Sequence, residues 1–135
     1  LAYQKRLSGP LLDRIDLHVH VPRLPFRTLE AGAGKESTAT IQQRILSART
    51  IQGSRFHSLQ GTLNKHLTPR RLKQFAVPDA ASSSLLGQAM QQFHLSVRGY
   101  HRVLKVARTI ADLAGIPSIS AEHVAEALQY RPRME

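Results

Sequence analysis

The chain has 135 residues, enough for one ordinary domain and too few for two generous ones. Hydrophobic residues make up 41%, with four Phe, three Tyr and no Trp, so the core is expected to be aliphatic and to suit helix packing better than a β-sandwich. No apolar run approaches the roughly 20 residues that cross a membrane, and no apolar leader follows Leu1. The absence of cysteine excludes disulfides and thiolate-bound zinc, so the expectation is a cytoplasmic, mostly helical domain without membrane contact.

Charge is the less ordinary feature. Nineteen Lys and Arg stand against nine Asp and Glu, a net charge of +10, and fourteen of the nineteen are Arg. Arg presents a planar fork that grips phosphate bidentately, whereas a merely soluble surface leans on Lys. Two readings stay open at this point: a polyanionic partner, or an acidic counterpart elsewhere in a longer chain.

In chain order, Ser8-Gly9-Pro10 is a turn, Leu11 and Leu12 form an apolar pair, and Asp13-Arg14 is charged. Ile15, Leu17, Val19 and Val21 then alternate with Asp16, His18 and His20, the period of a strand, which Pro22 and Pro25 end. No second alternating run of that quality follows. A lone strand leaves its backbone donors and acceptors without partners, so it is expected to be disordered, to fold against the helices, or to pair with another chain. Residues 24–37 read as a linker. Helical periodicity then predicts five helices: 38–53 with Ile41, Ile45 and Ala48 on one face; a short one from Thr68-Pro69 to Phe75; one from Pro78-Asp79 to Phe93; the longest from Ser96 to Ala114, closed by Gly115 and Pro117; and one from Ser120 to Tyr130 with Glu122 in its first turn. Residues 57–67 read as irregular.

Gly34-Lys35 imitates the end of a phosphate-binding loop. That loop needs Gly where Leu29 stands and Ser or Thr where Glu36 stands, and no strand precedes it, so the segment is a linker. His18 and His20 share a strand face but lack a third ligand nearby, and no metal site is expected. Nothing arranges an acid, a base and a nucleophile for self-contained catalysis.

The long helix carries more. Val97, Tyr100, Leu104, Ala107, Ile110, Ala111 and Ala114 fall on one face, and Arg98, Arg102, Lys105 and Arg108 form a basic stripe on another. A solvated face is the plainer reading of such a stripe. Arg98 differs because it sits in the first turn, where the helix dipole disfavours a cation and favours a phosphate.

The segment SGPLLDRIDLHVHVPR resembles the arginine-finger region of the magnesium-chelatase-like AAA+ ATPases, most closely the ComM (YifB) family. GKESTATIQQRILSARTIQGSRF is similar to that family's linker and first lid helix, and LSVRGYHRVLKVARTIADLAG with HVAEALQYR resembles its sensor-2 and final helices. The likeness covers nearly the whole chain and is loosest over residues 58–92. His20 departs from it, standing where an acidic residue is expected.

The resemblance implies a mainly α fold: a helical AAA+ lid in residues 38–135, a linker in 24–37, and in 1–23 the edge of the α/β ATPase core, left as a lone strand. It implies that Arg14 is an arginine finger reaching a neighbouring subunit's nucleotide, and that Arg98 is the sensor-2 arginine, acting in cis or in trans. Arg102, Lys105 and Arg108 are further candidates for phosphate or DNA contact. Walker A and Walker B motifs are absent, so ATP and Mg2+ are expected of an intact protein and not of these residues alone. The implied assembly is a ring of identical subunits, of the hexameric type, coupling hydrolysis to DNA branch migration. A motor subunit of a magnesium-chelatase complex and an autonomous basic nucleic-acid-binding domain are the alternatives.

Overall fold

The computed structural model describes residues 14–23, 25–26, 36–56 and 62–131. The turn at 8–10, the 11–13 stretch, the linker glycines and residues 57–61 lie outside the described residues. Among the described residues five α-helices follow one another: α1 Thr38–Arg55, α2 Pro69–Phe75, α3 Ala80–Gln92, α4 Val97–Leu113 and α5 Ala121–Gln129, with a 3-10 turn at Asn64–His66 before α2. The mainly α class expected from the sequence is the class observed.

Each helix begins where local cap chemistry requires. Ser37 accepts from the Thr40 amide, Thr68 from Arg71 with Pro69 in the first turn, Asp79 from Ser82, and Ser96 from Gly99. Hydrogen bonds from Ser82 hold the Asp79 carboxyl below the ordinary carboxylate range. At α5 the partner is a histidine: buried His123 accepts from the Ser120 amide through Nδ1 at 3.0 Å. The end of α4 is a Schellman closure. Gly115, at φ +71°, donates to Asp112 O, and Ile116 donates to Ala111 O.

The core is aliphatic with one aromatic pair. Leu67, Leu72, Leu86, Leu95, Val103, Leu104, Ala107, Ile119 and Val124 are buried together with Phe56, whose ring meets Phe75 edge-on at 5.1 Å. The face of α4 is rotated from the one expected: Val103 is inside, while Val97 is exposed at the helix start. Helix α1 runs two residues past its expected end, and only Ala48 and Gln52 along it are buried. Its early apolar residues Ile41, Ile45 and Leu46 remain uncovered by the described residues. An isolated parallel bridge between Pro78 and Ile119, with Ser82 Oγ donating to Ile119 O, ties the loop before α3 to the loop before α5.

A polar cluster crosses this core. Asp112 is fully buried near the end of α4 and accepts a two-pronged contact from Arg55 of α1, whose Nη1 lies 2.8 Å from Oδ2. Arg108 Nε donates to the same carboxylate at 3.1 Å, and Asn64 Nδ2 donates to it at 2.8 Å. The remaining Arg108 donors go to Pro117 O at 2.7 Å and Ile116 O at 2.6 Å. Burial pushes the Arg108 guanidinium below its ordinary pKa, and the Asp112 charge opposes that shift. One carboxylate thus joins α1, the 3-10 turn, α4 and the turn leading to α5. Replacing Asp112 by Ala would leave two guanidinium groups inside without a counter-charge, so a loss of about 3–5 kcal/mol is expected in urea denaturation. A loss under about 1 kcal/mol would mean that the cluster does not hold the helices together.

Candidate functional site

The segment containing Arg14 lies against the helical domain. Residues 14–23 form no strand pairing among the described residues. Instead the His18 amide donates to Tyr130 O at 2.8 Å, and Asp16 Oδ1 accepts from Arg102 Nε at 2.7 Å. Of the three fates open to the lone strand, folding against the helices is the one observed. Ile15, Leu17, Val19 and Val21 stay exposed. Arg14 itself sits in a turn, exposed, with no ion pair among the described residues. His18 is half-buried, His20 is exposed, and no described group of three or more His, Cys, Asp or Glu gathers as metal ligands.

Arg98 occupies the first turn of α4, just after the Ser96 cap, and no acidic residue shares that turn. It is exposed and free of ion pairs among the described residues. A second guanidinium is close by. A Cβ at Gly99 would stand 2.9 Å from Arg131 Nη1, so glycine at 99 lets the Arg131 side chain cross the first turn of α4. Two cations therefore flank a helix end whose dipole already attracts anions.

The rest of the predicted stripe divides. Arg102 is held by Asp16. Lys105 Nζ donates to Lys65 O at 2.9 Å, pinning the 3-10 turn to α4 while its other donors remain available. Arg108 is a correction: it is 2% exposed and its donors are spent on Asp112, Ile116 and Pro117, so it does not meet phosphate or DNA. Its position on the stripe gave no warning, because the partners that draw it inward lie one turn ahead and beyond the helix end.

The distribution of acids is a feature that motif reading misses. No Asp or Glu occurs between Glu36 and Asp79, while Arg44, Arg49, Arg55, Lys65, Arg70, Arg71 and Lys73 all fall there. Arg55 is committed to Asp112 and Arg44 to Glu36. Lys65, Arg70 and Lys73 are exposed and unpaired among the described residues, with Arg70 and Lys73 three apart on the outer side of α2. Counting acids along the chain would have found this stretch.

A family model described as magnesium chelatase, subunit ChlI C-terminal, matches residues 35–131, and a second, magnesium chelatase, subunit ChlI, matches residues 1–29. The chain belongs to the magnesium chelatase ChlI C-terminal family. Within it, competence protein ComM of Haemophilus influenzae is 41% identical over 132 residues, covering 97% of this chain. The uncharacterized protein YifB of Escherichia coli K12 is 38% identical over 135 residues, and an uncharacterized protein of Mycobacterium tuberculosis is 38% identical over 129. The chain spans 25% of the length of each of these relatives. No helix among the described residues is long and apolar enough to cross a membrane.

Proposed function

We propose that this ChlI-family chain is the lid of a ring-forming AAA+ ATPase, with Arg14 and Arg98 as its two contacts to nucleotide phosphates. The observation that carries the reading is the place of Arg98 at the start of α4, exposed and without an ion pair among the described residues, a state Arg14 shares, while Arg44, Arg55, Arg102 and Arg108 are committed to carboxylates. Arg98 stands at a helix start, where a cation alone is disfavoured by about 0.3–1 kcal/mol and a phosphate would reverse the sign. Arg14 is supplied to a neighbouring subunit, where its charge stabilises negative charge developing on the transferring phosphoryl group. ATP and Mg2+ are held by a phosphate loop outside these 135 residues, since neither Walker motif occurs in them. The lid contributes positioning and charge, and its movement with the phosphates couples hydrolysis to work.

The work we assign is remodelling of DNA by a ring of identical subunits, as the ComM likeness implies. The acid-free stretch supports it, because Lys65, Arg70 and Lys73 offer cations to a polyanion on a side of the domain formed by the 3-10 turn and α2. The family description favours a second reading, a motor for magnesium insertion into a porphyrin. Stimulation of ATP turnover by DNA supports the first, and dependence on porphyrin-binding partner subunits supports the second.

In the intact ATPase, Arg14→Ala is expected to lower kcat by about 10³-fold or more while leaving ATP affinity unchanged. Weakened binding with normal turnover of bound ATP would remove Arg14 from the role. Reversing Arg70 and Lys73 to Glu is expected to flatten the dependence of duplex affinity on salt, by about 0.9 in log–log slope for each phosphate no longer neutralised. Fluorescence anisotropy across a salt series measures it. An unchanged slope would place DNA elsewhere.

A further inference from the structure

We propose that Asp16 and Arg102 are a positioning pair that docks the Arg14 segment onto the helix carrying Arg98, so that the arginine finger moves with the sensor helix. The inference rests on the reading of Arg14 as a finger and goes beyond it, because the pair itself touches no phosphate.

Two points of attachment stand among the described residues. Arg102 Nε donates to Asp16 Oδ1 at 2.7 Å across 86 positions of sequence, and two residues later the His18 amide donates to Tyr130 O at 2.8 Å. One contact would leave a swivel, whereas two set both the place and the direction of the segment. The first point is on α4, and the second follows the end of α5. Arg102 is 15% exposed and Asp16 60%, so the guanidinium is fixed in the domain and the carboxylate is the part that docks.

The spacing on each side is short. Arg14 is two residues from Asp16, within about 7 Å of chain. Arg98 lies four residues from Arg102, one helical turn away and on the same face, at about 6 Å. The ion pair therefore stands between the two arginines that would meet phosphate, one short step from each. A rigid shift or rotation of α4, driven at Arg98, is delivered to Asp16 and so to Arg14. This gives Arg102 a different task from the one expected of the basic stripe: it holds a carboxylate of its own chain.

Asp16 is the exposed member of the pair, so losing its carboxylate is expected to appear in turnover and not in folding. The test is a charge-reversal cycle in the intact ATPase: Asp16→Arg, Arg102→Glu and the double variant, with kcat, KM for ATP and melting temperature measured for each. Each single reversal is expected to lower kcat about five- to tenfold with KM nearly unchanged. The melting temperature is expected to hold for Asp16→Arg and to fall for Arg102→Glu, whose carboxylate would stand at a largely buried position. The double reversal, which restores the pair with its ends exchanged, is expected to recover kcat to within about twofold. Singles without effect on kcat, or a double whose loss is the product of the two singles, would overturn the pairing. Arg14→Ala, measured alongside, separates the two failures. If it abolishes turnover while the cycle shows no coupling, only the positioning pair is wrong. If it leaves turnover intact, the finger reading fails and the pair loses its purpose with it.

Discussion

The Asp112 carboxylate is the constraint on which the rest of the domain depends. It stands inside the helical core and receives Arg55 from α1, Asn64 from the 3-10 turn and Arg108 from its own helix. Desolvating three charged groups is expensive, and a well-packed apolar replacement of all three could be as stable. The arrangement instead specifies geometry: α1 has one seat on α4, and the chain entering α2 has one path. The charge imbalance of two guanidinium groups on one carboxylate is relieved at the helix end. Arg108 turns its free donors to the carbonyls of Ile116 and Pro117, just past the C-terminus of α4, where the dipole favours a cation.

That fixed frame holds the outer arginines in place. Helix α4 is anchored internally near its C-terminus, along its middle by Val103, Leu104 and Ala107, and at its start by the Ser96 cap. Arg98 therefore projects from a rigid element, and Arg131 lies across the same turn because residue 99 has no side chain. The end of the domain that gathers cations is the end whose backbone already points donors outward. The opposite arrangement holds at the C-terminal end, where the cation is buried and satisfied by carbonyls. One helix thus uses the same side chain for two purposes, distinguished by which end of the dipole it meets.

Much of this was legible in the sequence wherever the determining chemistry is local. Thr68-Pro69, Asp79, Ser96 and Ser120 mark helix starts because a cap bonds within three residues of itself, and Gly115 marks an end because only glycine readily takes its positive φ. The failures lie where a side chain's partner stands outside the pattern being read. Arg108 reads as one more member of a basic stripe, and nothing at positions 98–108 announces that Asp112, one turn ahead, is buried or that the carbonyls of Ile116 and Pro117 turn back to it. Arg102 reads as free because its acid lies 86 positions away. The rotation of the α4 face has the same origin: Val97 is apolar and correctly spaced, but at the first turn no described element covers it. The charge distribution was visible throughout as a gap of acids from 37 to 78, and only the exposure of Lys65, Arg70 and Lys73 turned it into a surface.

The central claim is that Arg14 completes a nucleotide site on a neighbouring copy while remaining docked to its own lid. The most direct measurement is a cryo-electron microscopy structure of the intact protein with a slowly hydrolysed ATP analogue. The account predicts a ring in which the Arg14 guanidinium lies about 3 Å from a γ-phosphate oxygen on the adjacent subunit, a charge-assisted hydrogen bond. A map showing the γ-phosphate surrounded by other groups, with Arg14 facing solvent, would contradict it.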